Sequence, residues 1–491
     1  MSKLKKYSEY KEVDNYIGSI PNEWQIDKLK VILQERNKKN KPIISKERLS
    51  LSIDKGVTLY AEKTTNLDRF KDDFSQYKLA YPKDLVLNSM NVIVGAAGVS
   101  KYFGCVSPAY YVLYSSDETK YLADYYYYFF KTSKIQKKLY SIGRGIMAID
   151  RGNDRVNTCR LKVAKNDLKN LIFPIPTIDE QHKIVAFIKF KENQINKLIN
   201  KQKELIKLLE EKKKNIISNI ITKGLDGSVP MKDSGIGYIG YIPKHWEVGK
   251  VKQYYKIITG FTPDTTQMGY YDDINGQNWV TISDISGKYT PDSTNRKISE
   301  KFIKLKCPKQ TPKGSLLYSF KLSVGQVAFA KENIYTNEAI ASFLDSDKCC
   351  LPFLFYSSSL IVNNANENIY GAKILNQNLI KNAFIVFPPL SEQKLIADYL
   401  DKKCELIEKM INNKNSLISK LEEYKKNLIA LTITGQLDVR DYEIPVTDDK
   451  IDLDKIENIS EDDIETISEV EYANNWYVWK RIGKYNWKVF D

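Results

Sequence analysis

The residues best suited to chemistry are cations set against glycine. Ser141-Ile142-Gly143-Arg144-Gly145 is followed by Arg151, Arg155 and Arg160, which concentrates guanidinium groups in and after a Gly-rich loop. A corresponding stretch later in the chain reads Tyr370-Gly371-Ala372-Lys373-Ile374-Leu375-Asn376. Glycine lets backbone approach a phosphate closely, and arginine can grip guanine with two hydrogen bonds. The candidate nucleic-acid contacts are therefore Arg144, Gly145, Arg151, Arg155 and Arg160 in the first segment, and Gly371, Ala372 and Lys373 in the second. An ordinary surface loop is the alternative. The cluster Arg36, Lys38, Lys39 and Lys41 is a weaker candidate, read more readily as solvated surface.

No constellation for bond making accompanies these cations. The chain has no Gly-x-x-x-x-Gly-Lys-Ser/Thr loop, which speaks against an ATP motor. Val94-Gly95-Ala96-Ala97-Gly98 lacks the spacing of a dinucleotide fingerprint and reads as a turn. The Asn-Pro-Pro-Tyr/Phe quartet of an amino-methyltransferase is missing, and Phe387-Pro388-Pro389-Leu390 is a lead-in to a helix. Pro291-Asp292 with Arg296 and Lys297 only loosely resembles a nuclease core, with carboxylate and lysine misplaced. His182 and His245 are the only histidines, and Cys349-Cys350 lacks partner ligands, so neither catalytic nor metal-ligating residues are nominated. The pattern is that of a reader rather than a catalyst.

The elements that must position such a reader are large. A length of 491 residues suggests about three folded units. Hydrophobic residues at 42% and charged residues at 28% fit a globular chain with sizeable cores. No run of about 18 apolar residues occurs, and the Met-Ser-Lys-Leu-Lys-Lys start leads into polar residues. Six cysteines without a framework look like reduced thiols. The expectation is a cytoplasmic protein with no membrane partner. The segment from Arg440 to Asp491 holds 7 Lys/Arg and 14 Asp/Glu. Against a whole-chain charge of +14, that leaves +21 on the remainder. A body so basic suits nucleic acid, anionic lipid or an acidic protein.

The chain also repeats itself. Tyr16-Ile17-Gly18-Ser19-Ile20-Pro21-Asn22-Glu23-Trp24 recurs as Tyr238-Ile239-Gly240-Tyr241-Ile242-Pro243-Lys244-His245-Trp246. Further on, Leu168-Lys169-Asn170, Pro176 and Glu180-Gln181 match Ile380-Lys381-Asn382, Pro388 and Glu392-Gln393. That match continues ungapped to Leu225-Asp226 against Leu437-Asp438. One domain-sized unit is thus used twice, with a repeated frame and a divergent middle. Each frame ends in a helix of about 40 residues, or about 60 Å. Asp179 and Ser391 are its expected N-caps, and Gly224 and Gly435 its stops. After Ile184, apolar residues at Ile188, Ile195, Leu198, Leu205, Leu209 and Ile216 form a heptad seam in the first copy. Leu400, Ile407, Met410, Leu417, Leu421 and Leu428 do so in the second. Two seams of matched length predict an intramolecular antiparallel coiled coil. Separate dimerisation helices or ordinary core helices are the alternatives.

The middles alternate short apolar runs with tight turns. Leu85-Val86-Leu87, Val92-Ile93-Val94 and Tyr110-Tyr111-Val112-Leu113 lead to a helix around Leu122 to Leu139. Trp279-Val280-Thr281-Ile282, Ser315-Leu316-Leu317-Tyr318 and Val324 to Phe329 lead to a helix around Leu351 to Val362. Each middle reads as an α+β globule. The end of the chain is acidic from Asp441 to Glu471, then aromatic with Trp476, Tyr477, Trp479, Tyr485, Trp487 and Phe490.

Two variable globules, two similar helical frames and a basic body resemble the specificity subunit of a type I restriction–modification system. The resemblance runs through most of residues 10-439. It is carried by Pro82-Lys83-Asp84-Leu85-Val86-Leu87-Asn88-Ser89-Met90, by Gly98 to Tyr110, by Gly260-Phe261-Thr262-Pro263 and by Trp279 to Asp284. The Pro388-Pro389-Leu390-Ser391-Glu392-Gln393 segment and the repeated Tyr-Ile-Gly-x-Ile-Pro-x-x-Trp segment belong to it too. The acidic-then-aromatic tail departs from the family's usual end near residue 439, leaving an added partner or regulatory role open.

The resemblance implies an α+β chain with two α+β target recognition domains. A long intramolecular antiparallel coiled coil would join them in a pseudo-two-fold repeat. The parts would be an N-terminal frame segment (1-30), target recognition domain 1 (31-176), a central helix (177-226) and a linker repeating the first frame (227-250). Target recognition domain 2 (251-386), a C-terminal helix (387-439) and the tail (440-491) would follow. Each recognition domain would read half of a bipartite, asymmetric site on double-stranded DNA. The helices would set the spacing and carry two modification subunits that methylate adenine, and motor–nuclease restriction subunits would join them. S-adenosylmethionine and ATP with Mg would belong to those partners, and this chain would bind no cofactor. The competing readings are a stand-alone DNA methyltransferase or nuclease, and a coiled-coil adaptor that binds protein only.

Overall fold

The computed structural model describes residues 5–62, 73–146, 160–321, 323–345, 347, 349–367 and 373–445. Its contacts divide the chain into two units. The first comprises Met1–Gln202 with Ser416–Asp491, the second Lys203–Asn415. Two long helices, Ile178–Lys223 and Leu390–Ile433, each begin in one unit and end in the other. The fold class is α+β, as the alternation of short strands and helices led one to expect.

Each unit is built on a four-stranded sheet with the same order. In the first, Leu33–Glu35, Tyr110–Ser115, Leu85–Asn88 and Ala97–Val99 lie side by side. In the second, Ile257–Thr259, Ile340–Phe343, Leu316–Ser319 and Val327–Phe329 do so. Val92–Val94 is a 3-10 turn rather than a strand, because Gly95 at φ 81° closes it within three residues. The helix expected from Leu122 to Leu139 is two, Ala123–Phe129 and Ser133–Ile142. Its counterpart is the helix Leu351–Ser357 followed by a 3-10 stretch, Ser358–Asn364. Aromatic rings fill the first core, where Phe173 meets Phe129 edge-on at 5.4 Å and Tyr126 at 6.2 Å. In the second, Phe343, Phe353, Leu354, Ile385 and Leu400 are among the buried residues.

The repeated Tyr…Trp segment locks each frame shut. In the first unit Gln25–Lys28 pairs antiparallel with Ile172–Ile175, the strand just ahead of the first long helix. Glu247–Lys250 pairs with Phe384–Phe387 in the second. The Tyr16 hydroxyl accepts from the Ile172 amide at 2.8 Å, and the Tyr238 hydroxyl donates to the Phe384 carbonyl at 3.0 Å. The long helices start one residue earlier than the expected caps Asp179 and Ser391. In the first, the Thr177 hydroxyl receives the Glu180 amide. They end before Gly224 and Gly435, at φ 76° and 71°. A Cβ at Gly435 would stand 2.4 Å from Pro21 and 2.8 Å from Trp24, so only glycine lets the helix end seat on that tryptophan.

Within each unit the long helices lie antiparallel. In the first, Lys425 Nζ donates to Asn196 Oδ1 at 2.9 Å; in the second, Lys213 pairs with Glu408 at 2.6 Å. The step from 196 to 213 equals that from 408 to 425, so a single register describes both. Ile188, Ile195, Leu400, Ile407, Leu421 and Leu428 are buried, and Leu198, Leu205, Leu209 and Ile216 half-buried. Met410 and Leu417, assigned to the seam by spacing, instead remain 43% and 42% exposed. The seam runs through Cys404, half-buried Ile411 and Ile418 instead. After Ile407 both a +3 and a +4 neighbour are apolar. Only the +4 residue lies on the side that the alternating 4–3 seam requires.

Candidate nucleic-acid interface

In the first unit the candidate loop begins and ends in a two-stranded antiparallel ribbon. Arg144–Ile146 pairs with Arg160–Lys162, with Arg144 opposite Lys162, Gly145 opposite Leu161 and Ile146 opposite Arg160. Period-two alternation puts successive pairs on opposite faces. Leu161 is buried, and it turns one face inward. Arg144 and Lys162 are exposed and belong to the other face. The ribbon is tied to the sheet directly after Lys162. The Val163 amide donates to the Ser89 carbonyl at 3.0 Å, and the Tyr111 hydroxyl to the Val163 carbonyl at 3.0 Å. Arg144 makes an exposed ion pair with Asp167 at 3.2 Å, a contact weak enough to exchange for a phosphate or base. Arg151 and Arg155 lie outside the described residues.

The second unit carries a ribbon at the equivalent point, after the helices that follow the sheet and before the strand that re-enters the frame. Asn366–Glu367 pairs with Lys373–Ile374, with Lys373 opposite Glu367. Lys373 and Ile374 are exposed, and Leu375 anchors the ribbon in the core. Gly371 and Ala372 lie outside the described residues. The structure therefore puts Arg144, Gly145 and Arg160 on one ribbon and Lys373 on another, one ribbon in each unit.

Sequence reasoning missed Lys162. Its signal was the Arg160-x-Lys162 spacing, which places two cations on one side of an extended strand. The weaker cluster separates into two kinds of residue. Arg36 is committed to the fold. It binds Asp84 through two hydrogen bonds of 2.7 and 3.1 Å and lies over the rings of Tyr81 and Tyr114 at 4.6 and 4.4 Å. The Asp84 partner raises the Arg36 pKa still further. Lys39 and Lys41 stay exposed.

The frame connects rigidly to these sheets through the Glu-Gln pair that opens each long helix. Gln181 accepts from the Leu122 amide at 2.9 Å and donates to the carbonyls of Lys120 and Pro176. Gln393 accepts from the Cys350 amide at 2.9 Å and donates to the Pro388 carbonyl at 2.8 Å. Leu122 and Cys350 are the residues that begin the helix behind each sheet, so each glutamine ties a reader to its long helix. The neighbouring glutamates hold the frame tryptophans, with Trp24 Nε1 donating to Glu180 at 3.1 Å and Trp246 Nε1 to Glu392 at 2.8 Å. Tyr7 also donates to Glu180, whereas His245 shares a 2.6 Å hydrogen bond with Glu392. Burial pushes the Glu180 carboxyl up, against the opposing pull of its Tyr7 and Trp24 donors. No group of three or more metal-ligating side chains is found among the described residues. No helix among them is long and apolar enough to cross a membrane.

Comparison with known proteins bears on the same architecture. Residues 243–423 match the family described as "Type I restriction modification DNA specificity domain". The chain is 26% identical over 463 residues to a putative type I restriction enzyme MjaX specificity subunit of Methanocaldococcus jannaschii, covering 89% of this chain and 99% of that protein. It is 30% identical over 190 residues to the MjaIX specificity subunit of the same organism, covering 37% of this chain and 43% of that one. A solved chain from work on complex assembly and conformational transition of the type I R-M system shares the fold. Its TM-score is 0.62 at 15% identity, over 84% of this chain and 98% of that one. A two-unit frame with a variable globule in each half, a matching specificity domain over residues 243–423 and near full-length similarity agree: the chain is similar to the type I restriction–modification specificity subunits over most of its length.

Proposed function

We propose that this chain reads a bipartite, asymmetric sequence on double-stranded DNA and scaffolds the enzymes that act there. Residues 31-176 and 251-386 are the two target recognition domains. Segments 1-30 and 227-250 are the frame, and 177-226 and 387-439 are the helices. The observation that carries this reading is a two-stranded ribbon found once in each unit, bearing exposed Arg144 and Lys162 in the first and exposed Lys373, opposite Glu367, in the second, beside sheets of the same strand order but different sequence. A two-stranded ribbon fits the major groove, where base edges are distinct. Phosphate contacts add affinity that falls with salt. Arg144, Gly145, Arg151, Arg155, Arg160 and Lys162 serve the first half-site; Gly371, Ala372 and Lys373 serve the second.

The chain is a reader and scaffold, not a catalyst. Its partners are two modification subunits that methylate adenine and, where a restriction subunit is present, the motor–nuclease. S-adenosylmethionine, ATP and Mg are theirs, and the complex works in the cytoplasm. The test is the methylated motif of cells carrying this chain with its modification subunit, together with a gel shift on that motif. A motif in two parts is expected. A single contiguous motif, or methyl transfer by the isolated chain, overturns the reading.

A further inference from the structure

In the second unit an aromatic wall lines a cavity of about 520 Å³ at the edge of the sheet. That volume lies in the range of pockets that hold small molecules. Phe329, on the edge strand Val327–Phe329, stacks on Phe355 of the helix Leu351–Ser357 at 5.5 Å and 13°. Tyr289 tilts against Phe329 at 5.9 Å and 42°, and it is 53% exposed. Three ammonium groups rim this wall. Lys288 lies over the Phe355 ring at 6.0 Å and pairs with Asp401 of the long helix at 2.7 Å. Lys331 pairs at 2.7 Å with an outlying Asp292. Lys313 is exposed, and its ammonium has no partner among the described residues. Half-exposed ion pairs such as the first two contribute little and exchange readily for another anion.

Gly314 also lines the cavity and helps to keep it open. It turns with φ 83°, and its amide donates to the Ala330 carbonyl at 2.8 Å. In the first unit the same turn is made by Lys83 at φ 71°, with its amide on the Ser100 carbonyl at 2.8 Å. The Lys83 side chain leaves that turn to pair with Glu118 at 2.8 Å. A Cβ at Gly314 would meet nothing within 4 Å. Glycine therefore leaves free, in the second unit, room that a side chain takes up in the first. Lys373 is not among the described residues that line the cavity.

We propose that this cavity binds a purine nucleotide, its base laid against the Tyr289–Phe329–Phe355 wall and its phosphate among Lys288, Lys313 and Lys331. Aromatic rings hold a planar base by stacking, and ammonium groups hold a phosphate as point charges. Rings alone would suit an uncharged aromatic, and lysines alone any anion. Both around one cavity select a ligand that is flat at one end and anionic at the other, and a purine offers the larger stacking face. The cavity touches the sheet edge, the helix behind it and Asp401 on the long helix. A bound nucleotide thus bridges the second reader and the helix that carries it, and stabilises that junction by mass action.

Calorimetry on the full chain with AMP as the probe tests this. One saturable site per chain is expected. Adenosine, which lacks the phosphate, and ribose phosphate, which lacks the base, both bind more weakly than AMP. Tyr289→Ala weakens AMP binding by about five- to hundredfold, the size of one stacked base, whereas Tyr289→Phe keeps the ring and binds as wild type. Lys313→Ala weakens it by about two- to fivefold and flattens its dependence on salt. Both side chains are exposed, so the urea midpoints without AMP stay at the wild-type value. Added AMP slows hydrogen exchange over 327–331 in the wild type and not in Tyr289→Ala. Heat without saturation, AMP binding that survives Tyr289→Ala, or adenosine binding as tightly as AMP would overturn the proposal. So would a short single-stranded oligonucleotide that binds through Tyr289 where AMP does not, because the cavity would then follow a strand rather than hold a free nucleotide. None of these readouts involves duplex DNA, so the half-site reading stands or falls separately.

Discussion

At the scale of single residues, the chain separates cations that hold the fold from cations that face outward. Arg36 is enclosed by Asp84 and two tyrosine rings, and its loss would leave a buried carboxylate without its charge partner. Arg144, Lys162 and Lys373 carry no such burden. Arg144→Ala or Lys162→Ala should weaken or relax reading of the first half-site, and Lys373→Ala that of the second. A lost base contact costs about 1–3 kcal/mol, and a lost phosphate contact lowers the salt slope by about one. Binding isotherms at several salt concentrations on intact and altered half-sites check this. Unchanged affinity, specificity and slope in all three variants would remove the ribbons from the interface. The frame tryptophans give a second residue-scale prediction. Glu180 is buried and Glu392 half-exposed, so an orphaned acceptor is worse in the first unit. Trp24→Phe should cost about 1–3 kcal/mol and Trp246→Phe less, read from urea midpoints. Equal costs would mean that burial of the acceptor is not what decides.

At the scale of elements, the repeat is a device for tying two readers to two helices. Glutamate grips the frame and glutamine grips the helix behind the sheet, in both units. Helix continuity makes length a variable that can be cut. Removing Gln202-Lys203-Glu204-Leu205 together with Lys414-Asn415-Ser416-Leu417 shortens each helix by about 6 Å and turns each seam by about 40°. With a rise of about 3.4 Å per base pair, the spacer of the target should shrink by about one to two pairs. Cutting one helix alone should mismatch Lys213 with Glu408, or Asn196 with Lys425, and lower stability. The methylated motif of each variant is the readout. An unchanged spacer in an active double deletion would show that these helices do not set it.

At the scale of the whole molecule, two units with one sheet order and unlike sequences should behave as separable readers. Replacing residues 251-386 by the equivalent part of a relative should change one half-site and leave the other intact, as methylome sequencing would report. A simultaneous change in both half-sites would mean that the globules are not independent. The net charge of +21 on residues before Arg440 adds a general attraction for the duplex that neither reader supplies alone.

The frame was legible in the sequence because its physics is periodic and local. Matched Tyr…Trp and Glu-Gln segments recur at fixed offsets, and heptads and glycine stops announce long helices. The candidate cations were nominated on residue type and adjacency alone, and Arg151 and Arg155 lie outside the described residues. What only the tertiary structure decided depends on partners distant in the chain. Arg36 became structural because Asp84 and Tyr114 meet it across the sheet. Met410 and Leu417 left the seam because apolarity alone does not distinguish a +3 from a +4 neighbour. Val92–Val94 turned into a 3-10 bend because the backbone at Gly95 reverses there. Tyr442, just past the second helix, covers Phe187 at the start of the first, a contact between residues 255 apart in number that no local pattern encodes.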